Sequence, residues 1–112
     1  MNAVKDEWGY DPSVQWARRL FRLMEKAQLA LIGALKLSAF DVRLKPARES
    51  ALAMYHRACN STAGARLGGD ENAYAAVYAH CFSSALQTQG IEIPDNLTAT
   101  YPDHADWIRD FF

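Results

Sequence analysis

Polar and apolar positions sort by helical period over most of this chain. From Asp11 to about Ser38, stepping about 100° per residue places Gln15, Arg18, Arg19, Arg22, Glu25, Lys26 and Lys36 in a sector roughly 120° wide. The rest of the circumference is apolar and includes Trp16, Ala17, Leu20, Phe21, Leu23, Met24, Ala27, Leu31, Ile32 and Leu35. Gln28 is polar yet falls within that apolar sector. Asp11 before Pro12 supplies an N-cap and a first helical residue whose missing N–H costs nothing there. The pattern predicts one long amphipathic helix over residues 11–38.

The same reasoning predicts a second helix over 46–67, with Pro46 at its first position and Gly68 as a left-handed stop. Its expected apolar face carries Ala51, Leu52, Met54, Tyr55, Ala58, Cys59, Thr62, Ala63 and Ala65, and so many small residues imply close approach to a neighbour. A third helix is predicted over 70–89, capped by Asp70 and stopped by Gly90, with Ala73, Tyr74, Val77, Tyr78, Cys81, Phe82 and Ala85 inward. The short link from Leu67 to Asp70 makes the second and third helices an antiparallel hairpin. Ile91 to Pro94 reads as extended, because Pro94 disfavours helix in the residue before it. A short C-terminal helix follows over 102–111, docking by its aromatics. The fold class is therefore all-α: a small helical bundle in a single domain, residues 1–112.

Charge changes this picture. Residues 12–69 hold ten basic residues against three acidic, a net charge of +7, whereas residues 70–112 hold seven acidic residues against Arg109, a net charge of −6. The total of −1 conceals this division. Part of the positive excess forms a stripe on the first helix (Arg18, Arg22, Lys26, Lys36), continued by Arg43, Lys45 and Arg48 in the following turn. Leu29 and Gly33 fall inside the stripe, and an exposed leucine beside a glycine suits a protein contact better than a phosphate contact. The pI of 6.3 is far from that of a dedicated nucleic-acid domain. The first eleven residues are polar and acidic, unlike a signal peptide, and no stretch has the length of a membrane span. The expectation is a soluble cytoplasmic protein without a membrane partner.

Chemical motifs are few. His56, Cys59, His80 and Cys81 are the candidates for a tetrahedral metal site on the hairpin, but their spacing matches no zinc motif, and His80 and Cys81 diverge by about 100° on a helix. Core cysteines are the competing reading, and a disulfide or reactive thiol a further one. The chain lacks the Glu-x-x-His of a di-iron bundle. Asp103 and Asp106 read as first-turn helix residues, and His104 as exposed beside them, rather than as an acid–base site. Serine or cysteine nucleophile signatures and phosphate-binding glycine loops are absent from the sequence.

The expected function is non-catalytic and needs no cofactor: a small helical protein-interaction module, whether a subunit, an adaptor or an inhibitor/immunity-type binder. It would assemble through the first helix and charge complementarity, as a homo-oligomer or within a larger complex. The expected contact residues are Arg18, Arg19, Arg22, Lys26, Leu29, Gly33, Lys36, Trp107 and Phe111. A nucleic-acid-associated subunit using the basic stripe is the alternative. A metal-binding hairpin is the third reading.

Overall fold

The computed structural model describes residues 15–60 and 70–94. These form three helices, α1 (Gln15–Ala34), α2 (Leu44–Cys59) and α3 (Glu71–Thr88), with no strand among the described residues. The fold is an all-α helical bundle. The expected start at Asp11–Pro12, the stop at Gly68 and the helix over 102–111 lie outside the described residues, as do Trp107 and Phe111.

The helix at the centre is α3. Both α1 and α2 pack on α3 far more than on each other. Ala73, Ala75, Ala76, Val77, Tyr78, Ala79, Cys81, Phe82, Ala85 and Leu86 of α3 are all buried, so it is covered on more than the one face its period suggested. Its alanines let neighbouring backbones come close. On the first helix the buried positions form a seam, Ala17, Leu20, Met24, Ala27 and Leu31, with Trp16, Phe21, Leu23 and Ile32 partly buried against the same core. The alternating three- and four-residue steps of that seam are those of coiled-coil-like packing. On α2 the buried row is Ala47, Ala51 and Tyr55, each four residues from the last. Full burial of a side chain such as Leu20 or Met24 contributes about 1.5–3 kcal/mol.

An aromatic ladder ties the three helices together. The Tyr55 ring of α2 meets Tyr78 of α3 edge-on at 6.0 Å, and Tyr78 stacks on Phe82 at 6.0 Å. Tyr78 then donates its hydroxyl hydrogen to Gln28 Oε1 of α1 at 2.6 Å. Gln28, the one polar residue in the apolar sector of α1, is placed to accept from the buried phenol of Tyr78. Trp16 adds an edge contact to Tyr74, with ring centroids 5.4 Å apart.

Two helix ends use the same device with different residues. After α3, the Gly90 N–H donates to Gln87 O at 2.9 Å and the Ile91 N–H to Leu86 O at 3.1 Å, with Gly90 left-handed at φ 86°. This is the Schellman arrangement expected of a glycine stop. Ile91 and Ile93 are buried beyond it and Glu92 is exposed, the alternation of an extended segment. After α1, the Lys36 N–H donates to Gly33 O at 3.1 Å and the Leu37 N–H to Ile32 O at 3.0 Å, with Lys36 at φ 56°. The expected helix to Ser38 therefore stops four residues early, on a lysine in a conformation that favours glycine. Lys36→Gly is expected to raise stability by about 0.5–1 kcal/mol: the left-handed penalty of about 1–2 kcal/mol is removed and partly offset by glycine's chain entropy. Gly90→Ala is expected to lower stability by about 1 kcal/mol, since an added Cβ meets nothing within 4 Å and only the backbone resists. Urea midpoints at constant m-value measure both.

The second helix begins at Leu44, so Pro46 is its third residue rather than its first. Proline is accepted there because the first-turn N–H groups have no intrahelical partner. The described helix runs to Cys59 with Asn60 as its C-cap, and the expected end at Leu67 lies outside the described residues. Asp70 caps α3 as expected, its side chain accepting the Asn72 N–H at 3.0 Å.

Candidate functional site: the outer face of α1 and the turn that follows

The seam that buries Leu20, Met24 and Leu31 turns the opposite side of α1 outward. Arg18, Arg19, Arg22, Glu25, Lys26, Leu29, Ala30, Gly33 and Ala34 are exposed there. The face is graded. Charge dominates its N-terminal half, and small apolar residues beside Leu29 dominate its C-terminal half. Leu29 is 65 % exposed, and beyond the local backbone of α1 no atom of a described residue lies within 4 Å of where a Gly33 Cβ would stand. The bare Gly33 and the small side chains of Ala30 and Ala34 beside one protruding leucine let another backbone approach closely.

Not all the expected stripe is available. The Arg19 guanidinium binds Glu71 Oε1 of α3 through Nε and a terminal nitrogen, each at 2.8 Å, which neutralises it across the α1–α3 junction. Arg43 is held by Asp41: Nε to Oδ1 at 3.0 Å, a terminal nitrogen to Oδ2 at 2.8 Å, and the backbone N–H to Oδ1 at 2.9 Å. Those bonds, the side-chain one foremost, hold the Asp41 carboxyl down at about 2, so the pair is fully ionised at neutral pH. Arg22, Lys26, Lys36 and Lys45 are exposed and form no ion pair among the described residues. These four are the stripe's available cations.

The Asp41–Arg43 clamp orders the turn between α1 and α2. The Phe40 N–H donates to Ser38 Oγ at 3.1 Å, the Asp41 N–H to Ser38 O at 3.1 Å, and the Leu44 N–H to Asp41 O at 3.1 Å. On either side of the clamped aspartate, Phe40 and Val42 are 92 % and 86 % exposed. Sequence reasoning assigned them no role. The available signal was their position in a helix connection, where neither amphipathic face has room for them.

The hairpin candidates do not assemble into a metal centre. Among the described residues no three histidine, cysteine, aspartate or glutamate side chains are grouped to hold an ion. Cys81 is buried and Cys59 half-buried. Burial pushes the Cys59 thiol up to about 11, with a Tyr55 hydrogen bond opposing, and the Cys81 thiol up to about 12, with Cys59 adding to the rise and Arg57 opposing. Both are therefore thiols at neutral pH, neither nucleophiles nor ready zinc ligands. His56 lies edge-on to the Tyr55 ring at 5.2 Å. Loss of hydration lowers the His80 pKa and favours its neutral form.

Comparison with protein-family models, curated proteins and solved structures gave no match. The functional reading therefore rests on the residues themselves.

Proposed function

We propose that the chain is a non-catalytic helical interaction module whose contact surface is the outer face of α1. The observation that carries this reading is Leu29, 65 % exposed, beside the bare Gly33 and between the exposed cations Arg22 and Lys26 on one side and Lys36 on the other. An apolar centre with a charged rim is the anatomy of a protein interface. The rim also specifies the partner. An isologous pairing of this face with its own copy would set cations against cations, which costs association. The complementary surface is acidic: that of another protein, or the acidic portion of a second copy meeting this face in a heterologous contact. Because Arg19 and Arg43 already have carboxylate partners, fewer cations remain for a phosphate backbone, and the nucleic-acid alternative gains no support.

The triple variant Arg22→Glu, Lys26→Glu, Leu29→Asp tests the reading. All three side chains are exposed, so the fold and its helical circular dichroism are expected to persist. Sedimentation velocity and affinity isolation from the host, near about 150 mM salt, are expected to lose the partner or self-assembly seen with the parent chain. Rim charges act on association rate and apolar centres on dissociation, so binding is expected to weaken at least about tenfold. Unchanged sedimentation together with unchanged recovery of every co-isolated protein would remove α1 from the contact surface.

A further inference from the structure

We infer that the α1–α2 turn is a preshaped element for attachment to an anionic lipid surface, with Phe40 and Val42 as its inserting side chains. This goes beyond the α1 contact and shares only Lys36 with it. Three observations carry it. Phe40 and Val42 are 92 % and 86 % exposed, so they project from the body rather than lying against it as Leu29 does at 65 %. Side chains that share almost no surface with their own protein bring little shape for a rigid partner to complement, whereas acyl chains deform around them. The turn is also ordered before any contact, because Asp41 binds the Arg43 side chain and backbone together. A clamped turn spends little conformational entropy on insertion. Finally, the charge beside the two apolar tips is cationic. Lys36 and Lys45 are exposed on either side, and the one acidic residue between them, Asp41, is neutralised by Arg43. Apolar tips flanked by lysines match the acyl boundary and the anionic headgroups of a membrane interface. A second copy docking turn to turn would bring these lysines together and is disfavoured by the same charge.

The contact proposed is peripheral: no helix among the described residues is long and apolar enough to cross a membrane. It is also weak and reversible, since two side chains and two lysines fall well short of a lipid anchor.

Co-sedimentation of the full chain with vesicles tests this. The probes are phosphatidylcholine vesicles with and without roughly 30 % phosphatidylserine. The parent chain is expected to partition onto the anionic vesicles, to favour them at least about fivefold over neutral ones, and to be released as salt rises. Phe40→Asp with Val42→Asp is expected to reduce partitioning at least about tenfold with unchanged helical circular dichroism, and the milder Phe40→Ala, Val42→Ala pair to reduce it in the same direction. Lys36→Gly and Lys45→Ala are each expected to weaken binding about fivefold. Failure of the parent chain to bind anionic vesicles would overturn the inference. So would binding that survives the aspartate pair. A parent dimer that ignores vesicles and dissociates on the aspartate substitutions would make the turn a protein contact instead. The Arg22→Glu, Lys26→Glu, Leu29→Asp variant leaves the apolar tips intact, so loss of protein contact and loss of lipid contact are distinguishable.

Discussion

Tyr78→Ala is expected to cost about 3–5 kcal/mol, the range for removing a large buried aromatic and leaving its cavity only partly collapsed. Tyr78 is fully buried, and it is where the bundle's helices meet. Its ring takes the edge of Tyr55 from α2 and stacks on Phe82, and its hydroxyl reaches Gln28 of α1. Truncation removes all of these at once. A domain of this size has about 5–15 kcal/mol of total stability, so the variant keeps little in reserve. At roughly 4 °C per kcal/mol, Tm is expected to fall by about 12–20 °C, readable by calorimetry or circular dichroism. Tyr78→Phe separates the contributions. It keeps the ring and removes the Gln28 hydrogen bond, with an expected cost of about 1 kcal/mol. If Tyr78→Ala costs no more than Tyr78→Phe, the ring does not join the helices and the ladder is incidental.

The bundle was legible from the sequence wherever a local signal coincided with the tertiary one. Asp70 and Gly90 bound α3 because capping chemistry acts within a few residues of chain. Tyr55, Val77 and Phe82 are buried because their period places them inward. Reading failed where the deciding partner lay elsewhere in the sequence. Gln28 looked misplaced on α1 because its partner, Tyr78, stands fifty positions away on another helix. The helix covered from two sides is α3, whose alanines at 75, 76 and 79 lie off its expected inward face and carry little hydrophobic signal. The end of α1 was missed for a different reason. A lysine in the left-handed conformation is uncommon, so rules built on glycine carry the helix past Lys36.

The candidate site divides in the same way. The stripe of Arg18, Arg22 and Lys26 with Leu29 follows from period alone, and these residues are exposed as expected. Its effective charge does not follow from period. Neutralisation of Arg19 by Glu71 needs the docking of α1 on α3, and the clamp of Arg43 by Asp41 needs the conformation of the turn. Of the two pairs only Arg19–Glu71 joins the basic stretch to the acidic one, since Asp41 lies within the basic stretch itself. Phe40 and Val42 were missed because an apolar residue in a connection has no period to violate. Only their exposure marks them.

Ala51→Leu is expected to destabilise by about 2–3 kcal/mol, although it adds apolar surface to an apolar place. Ala51 and Ala47 of α2 are fully buried, as are Ala75 and Ala76 of the helix it packs on, to within 1 %. Interior packing has no room for three further carbons without displacing backbone or forcing rotamers. The exposed Ala53 of the same helix is the control, and Ala53→Leu is expected to change stability by less than about 0.5 kcal/mol. Helix propensity differs little between the two sites, so the contrast isolates packing. Where α2 yields, its first turn yields too. Leu44 follows the Asp41–Arg43 clamp directly, so α2 sets the position of Phe40 and Val42. The outer face of α1 is built on a different seam and is expected to keep its geometry. Ala51→Leu is therefore expected to weaken contacts made by the turn more than those made by Leu29, at a temperature where both variants remain helical. Equal loss at the two surfaces would mean that α1 and the turn move as one body, with the small-residue packing of α2 on α3 as their common support.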